Sequence, residues 1–208
     1  MCIRDSVELE PDASGAAVAL AAGALSGGAV LAAGLARDSL QGDVRIALHL
    51  SAFGCRTTWS EAGLEVCGAP LRPARIDLSG EPDLAPVLAA VAAAAASPRH
   101  ADPVSVLAGL GTLGAKESSR LEVLAEGLRA AGWAAEAGAS ELRVGPRANP
   151  DDVAPRELDA HGDHRMAFAF ALLGLLRPGL AVRGAGAVAK SWPGFWDDLA
   201  QLGARPAR

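Results

Sequence analysis

Aromatic residues make up only 4% of this 208-residue chain, although half of it is hydrophobic. The core therefore has to be built from Ala, Val and Leu. Cysteine is scarce too. Cys2, Cys55 and Cys67 form no CxxC pair and no His-spaced ligand set, which speaks against zinc, and an odd number fits a reducing compartment better than a disulfide framework. No excess of positive charge exists: the formal net charge is −5, so nothing global invites nucleic acid or an anionic membrane. Any anion site must come from local clustering. Residues 13–36 carry no charge, a length that suits a bilayer span. That run, however, is mostly Ala and Gly with Gly27-Gly28 in its middle, and few of its residues favour insertion. It reads as helix, turn and strand within a soluble domain. Met1 to Ser6 is followed by Glu8 and Glu10, which leaves no apolar region of a signal peptide. The expected location is cytoplasmic.

Lysine is the rarest charge. Of 19 basic residues only Lys116 and Lys190 are lysines. A lysine presents a compact ammonium with an adjustable pKa, whereas arginine is a permanently charged fork. The placement of the two lysines therefore carries information.

The richest stretch is Asp163-His164-Arg165-Met166-Ala167, the polar start of an apolar run that continues to Leu176. Asp163 is a natural N-cap. Arg165 then falls in the first helical turn, where free N–H groups and the dipole already favour an anion. A cation there needs compensation, and either a bound anion or a neighbouring carboxylate supplies it.

The same order of segments recurs. Asp12 opens the apolar stretch Ala13 to Leu25, a strand candidate follows at Ala29 to Ala32, and a second helix is expected from near Asp38 to Phe53, ahead of a hairpin around Glu61–Gly63. Asp83 opens Leu84 to Ala96, with Pro86 acceptable in a first turn; Val104 to Leu107 reads as a strand, Lys116 opens an amphipathic helix, and Ala134 to Val144 reads as a hairpin. A polar linker, Pro146 to Ala160, leads to the helix opened by Asp163; Leu180 to Arg183 is a strand, and a last helix is expected from Lys190 to near Gly203. The three aspartates stand 71 and 80 residues apart. This is a threefold repeat of apolar helix, strand, amphipathic helix and hairpin, the last copy without its hairpin. The repeats cover about 12–78, 83–145 and 163–203 of a single domain at 7–208, after an unmatched prefix at 1–6. A helix that is apolar nearly all round has to be buried on all sides, so three such helices should cluster inside a shell of short strands, the reverse of the usual layering.

Lys116 and Lys190 fall 33 and 27 residues after their unit's opening aspartate, each at the expected start of a second helix. Lys116 and Arg120 are four apart and share one helical face. If the helix starts meet at one end of the domain, Lys116, Arg120, Arg165 and Lys190 converge with Asp83, Glu117, Asp163 and His164. Cations interleaved with carboxylates suit a ligand carrying phosphate and carboxylate, together with proton transfer.

These residues resemble a known family. Asp163-His164-Arg165-Met166-Ala167, Lys116-Glu117-Ser118-Ser119-Arg120, Leu40-Gln41-Gly42-Asp43, Val188-Ala189-Lys190-Ser191-Trp192-Pro193, Asp12-Ala13-Ser14 and Pro82-Asp83 are similar, in order and spacing, to landmarks of the EPSP synthases. These are enolpyruvyl transferases of aromatic amino-acid biosynthesis. The resemblance runs from about Val7 to Gly203. It implies an α/β (α+β) fold, the inside-out α/β barrel of enolpyruvyl transferases. It further implies transfer of the enolpyruvyl group of phosphoenolpyruvate to the 5-hydroxyl of shikimate 3-phosphate, with no metal and no organic cofactor. By position, Asp83 resembles the proton acceptor on the shikimate hydroxyl, Lys116 and Thr112 contacts to the same substrate, and Arg120, Arg165 and Lys190 the cations for phosphoenolpyruvate. Glu117 resembles the carboxylate that delivers a proton to the enol carbon, with His164 beside it. Thr112 stands where Asn or His is usual and Ser119 where an acid is usual. The family's enzyme has two such domains with the site between them, and the chain matches the C-terminal one. It is therefore expected to lack the N-terminal half of the cleft and to show negligible activity alone. The alternatives are a non-catalytic anion-binding module of the same fold, and a transferase acting on UDP-N-acetylglucosamine, which the Asp163–Ala167 motif disfavours.

Overall fold

A computed structural model describes residues 9–113 and 119–204. Three helices form the centre: α1 (Ala13–Ser26), α3 (Ala85–Ala95) and α5 (His164–Leu176). Each packs on the other two. Ten of the eleven residues of α3 are buried, and its alanines let the neighbouring helices approach closely. Local chemistry sets the ends. Asp12 caps α1 by accepting from the Ser14 and Gly15 N–H groups, and Gly27 closes it at φ 70°, a left-handed conformation that glycine adopts without strain. α5 stops at Arg177 with φ −140° and ψ 116° because Pro178 disfavours helix in the residue before it.

Sheets cover this centre. β1 (Ala29–Ala33), β2 (Arg56–Ser60) and β3 (Gly63–Cys67) form an antiparallel sheet in the order β1-β3-β2. β4 (Arg75–Asp77), β5 (Ser105–Ala108), β6 (Trp133–Ala137) and β7 (Glu141–Arg147) form a second, in the order β4-β5-β7-β6. β8 (Arg156–Asp159) and β9 (Leu180–Arg183) pair in parallel. In β1 and β2 every second residue is exposed, so one face of that sheet meets solvent. Buried helices inside and sheets outside is the layering expected from the all-round apolar helices.

The other α-helices are α2 (Ile46–Ala52), α4 (Arg120–Ala130 in the described residues) and α6 (Phe195–Gln201). Gly127 lets α4 approach α5: a Cβ there would lie 2.4 Å from Phe170 Cε1. The expected starts of the second helices are corrected. In the second unit α4 starts at Arg120, with Ser119 as its N-cap residue in a non-helical conformation, so the shared helical face expected for Lys116 and Arg120 is not borne out. Asp38 to Gln41 is irregular, and a 3-10 turn at Gly42–Arg45 precedes α2. Lys190 does not open a helix: it closes a 3-10 turn, Ala185–Lys190, and α6 starts only at Phe195. Pro193 explains the delay, since it disfavours helix in the residue before it. Two strands also precede the helices expected to open the second and third units. β4 and β8 each run parallel to the strand that follows the buried helix, so these units begin with a strand–helix–strand crossover. Part of the supposed polar linker 146–160 is therefore β8.

Candidate active site

The starts of α1, α3 and α5 meet at one end of the barrel, around an open cleft of about 380 Å³. Ser14 lines it from α1, Leu84 from the approach to α3, and His164 and Arg165 from α5; Ser191 and Trp192 close the far side. Asp163 is the N-cap of α5, accepting from the Arg165 N–H at 2.9 Å. Asp12 plays the same part for α1. Asp83 differs, because it lies inside a 3-10 turn, Pro82–Leu84, that leads into α3. Its carboxylate is thereby directed to arginines rather than to a cap.

Two arginines organise the carboxylates. Arg120, 1% exposed, donates Nε to Asp163 Oδ2 at 2.7 Å and Nη1 to Asp83 Oδ1 at 2.8 Å. Arg165 takes neither of these positions. Its Nη1 donates to the Asp83 carbonyl at 3.1 Å, and its Nη2 lies 3.5 Å from both Asp83 Oδ2 and Ser14 Oγ. Asp43 Oδ2 lies 3.8 Å from Arg165 Nη1 and accepts from the Ser14 hydroxyl. Burial pushes the Asp43 carboxyl above its usual range; the Ser14 hydrogen bond and Arg165 oppose this, and Asp83 and Asp12 reinforce it. The sequence left open whether a ligand or a carboxylate compensates Arg165. Among the described residues, Asp83 and Asp43 do so, and Asp163 belongs to Arg120.

His164 lies at the cleft wall, with Nδ1 3.9 Å from Asp163 Oδ1 and its ring edge-on to Phe168. Burial lowers its pKa. Asp163 resists that, while Arg165, Lys190 and Arg120 add to it. Lys190 is exposed, and its charge is felt at His164. In this aromatic-poor chain, Phe168, Trp192, Phe195 and Trp196 form one cluster beside the cleft, with ring centroids 4.8–6.4 Å apart. That cluster ties α6 and the Ser191-Trp192 segment to α5.

The structure thus brings Asp83, Arg120, His164 and Arg165 together, with Lys190 nearby. Thr112 is exposed on the turn after β5. Lys116 and Glu117 lie outside the described residues. Sequence reasoning did not single out Ser14 or Asp43 as site residues, although both lie within quoted landmarks; only the packing of unit one against unit three gives them a place. It also missed Glu81, 3% exposed, whose Oε1 lies 2.6 Å from His49 Nε2 and whose Oε2 accepts from Arg45 at 3.2 Å. This cluster braces the loop that carries Asp83.

Solved enolpyruvyl transferases share this architecture. The EPSP synthase of Acinetobacter baumannii superposes with a TM-score of 0.69 at 23% identity, over 90% of this chain and 45% of that one. The enolpyruvyl transferase NikO of Streptomyces tendae gives 0.69 at 22% identity, over 96% and 44%. The fold is thus that of the enolpyruvyl transferases. Sequence narrows it. The profile of EPSP synthase (3-phosphoshikimate 1-carboxyvinyltransferase) matches residues 3–199, and the chain belongs to that family. The 3-phosphoshikimate 1-carboxyvinyltransferase of Syntrophobacter fumaroxidans is 39% identical over 204 residues, covering 93% of this chain and 44% of the relative. That of Methanoculleus marisnigri is 40% identical over 192 residues, covering 92% and 43%. The chain spans about half the length of the curated relatives it matches.

Proposed function

We propose that this chain forms one wall of an enolpyruvyl transferase site. There the enolpyruvyl group of phosphoenolpyruvate passes to the 5-hydroxyl of shikimate 3-phosphate and phosphate is released. The observation that carries this reading is the junction of Arg120, Asp83, Arg165 and His164, the last two lining one cleft, together with family membership. Protonation of the enol carbon of phosphoenolpyruvate develops positive charge on its neighbour, the hydroxyl oxygen adds there and loses its proton, and phosphate leaves as the added carbon proton is given up. The reaction therefore needs fixed cations for the anion and carboxylates for the protons. Arg165, partly exposed and lining the cleft, is the cation best placed to meet the carboxylate or phosphate of phosphoenolpyruvate. For Arg120 to meet it as well, Asp83 has to release the Nη1 arm it holds. Asp83 accepts the proton of the shikimate hydroxyl. Lys116 and Thr112 contact shikimate 3-phosphate, Lys190 adds a point charge toward phosphoenolpyruvate, and Glu117 and His164 handle the proton at the enol carbon.

One wall does not enclose the reactants or exclude water. The other wall is supplied by a counterpart of the N-terminal half of the relatives, and this chain alone turns over negligibly. The test is phosphate release from phosphoenolpyruvate plus shikimate 3-phosphate, with the chain mixed with the N-terminal half of a relative. Turnover in the mixture, absent from either part and lowered at least 100-fold by Arg165→Ala, supports the reading. Shikimate 3-phosphate binding without turnover in the mixture favours a non-catalytic module.

A further inference from the structure

We infer that Asp43, acting with Ser14, is a positioning residue that aims the Arg165 guanidinium into the cleft. The inference rests on the reading of Arg165 as an anion ligand. Its basis is where the partners of this guanidinium come from. Arg165 stands on α5, in the third unit. One side of its fork meets Asp83, from the second unit: Nη1 donates to the backbone carbonyl at 3.1 Å, and Nη2 lies 3.5 Å from Oδ2. The other side meets the first unit, where Asp43 Oδ2 lies 3.8 Å from Nη1 and Ser14 Oγ 3.5 Å from Nη2. Ser14 in turn donates its hydroxyl to Asp43. A long, flexible side chain is thereby held from both sides, and all three repeats take part.

Asp43 is fixed before it meets the arginine. It sits in the 3-10 turn Gly42–Arg45. The preceding Gln41 is tied to the start of α1 by Ala13 N–H to Oε1 at 2.9 Å and by Nε2 to the Pro11 carbonyl at 2.8 Å. Gly42 packs against Gly80, where a Cβ would come within 3.4 Å of the carbonyl oxygen. The turn is thus clamped between α1 and the loop that leads to Asp83. The carboxylate is not among the groups that line the cleft, whereas Arg165 and Ser14 are, so Asp43 acts on a bound anion through these two partners. Burial disfavours its charge, which is the cost of keeping a carboxylate at this spot. Holding a guanidinium in one orientation ahead of binding spares the ordering cost otherwise incurred when the anion arrives.

Charge and orientation predict opposite signs here. Removing a carboxylate near an anion site strengthens anion binding by simple Coulomb effects; removing a positioning group weakens it. The test titrates phosphoenolpyruvate into the isotope-labelled 208-residue chain mixed with the unlabelled N-terminal half of a relative, and follows the arginine Nε–Hε cross-peaks by NMR. Arg165→Ala serves as the reference. Asp43→Ala is expected to weaken binding about 10-fold and to shift the Arg165 Nε–Hε signal in the unliganded protein. Ser14→Ala, which changes no charge, is expected to weaken binding about threefold and to move the same signal; it serves if Asp43→Ala fails to fold. If Arg165→Ala abolishes binding while Asp43→Ala binds equally or more tightly and leaves the Arg165 signal in place, the positioning role is wrong and the reading of the site stands. If wild type and Arg165→Ala respond alike to phosphoenolpyruvate, the reading of the site fails and the positioning role with it.

Discussion

Arg120 Nε lies 2.7 Å from Asp163 Oδ2, and both side chains are withdrawn from solvent, 1% and 0% exposed. An arginine at the start of α4 thus holds the N-cap of α5. Removing one partner of such a pair strands the other charge in a poorly polarisable surrounding. Arg120→Ala is expected to destabilise the chain by about 3–5 kcal/mol, measured by urea denaturation. Arg120→Lys should cost less but still lose one carboxylate, because an ammonium cannot span Asp163 and Asp83 as the fork does. A loss below about 1 kcal/mol for Arg120→Ala would mean that the pair behaves as a surface contact.

His164 should titrate below its ordinary value of 6.5 in the folded chain, because burial and three nearby cations disfavour its charged form. The sign follows from linkage. The unfolded chain takes up this proton at higher pH than the folded one, so the contribution of His164 to stability is complete above 6.5 and is lost as pH falls through the lowered value. His164→Gln should flatten the stability profile in that window. An NMR titration of the His164 ring proton checks the direction, and a midpoint above 6.5 contradicts it.

Glu81 owes its burial to His49 and Arg45. His49→Ala removes a 2.6 Å hydrogen bond and leaves Glu81 with the Arg45 contact at 3.2 Å. A loss of about 1–3 kcal/mol is expected by urea denaturation. The same change loosens the loop that carries Asp83, so hydrogen exchange of the Leu84 amide should quicken in this variant.

Gly127 tests helix contact inside the barrel. A methyl group there meets the Phe170 ring at 2.4 and 2.5 Å, and Phe170, 1% exposed, has little room to move. Gly127→Ala should therefore cost about 1–3 kcal/mol through overpacking, despite the higher helix propensity of alanine. A stabilising result, read as a higher midpoint in thermal unfolding, would show that α4 and α5 separate easily.

Sequence alone determined a good deal. Three helices apolar on every side have no stable place except the interior, which dictated buried helices and outer strands. Asp163 announced an N-cap, because a carboxylate before an apolar run meets free N–H groups; of the other two aspartates expected to open helices, Asp12 is a cap and Asp83 lies inside a 3-10 turn. The ordered landmarks gave the family. Other features were illegible for physical reasons. β4 and β8 each carry one central apolar side chain, Ile76 and Leu158, between charged neighbours; their existence depends on parallel partners reached only across a buried helix. The Arg165 partners lie 82, 122 and 151 residues away in sequence, and no local pattern reports such distances. The tertiary structure alone decided that Asp163 pairs with Arg120, that Asp83 bridges Arg120 and Arg165, and that Asp43 faces Arg165. A guanidinium has one fork, and which carboxylates fill it depends on how three repeats close around one axis.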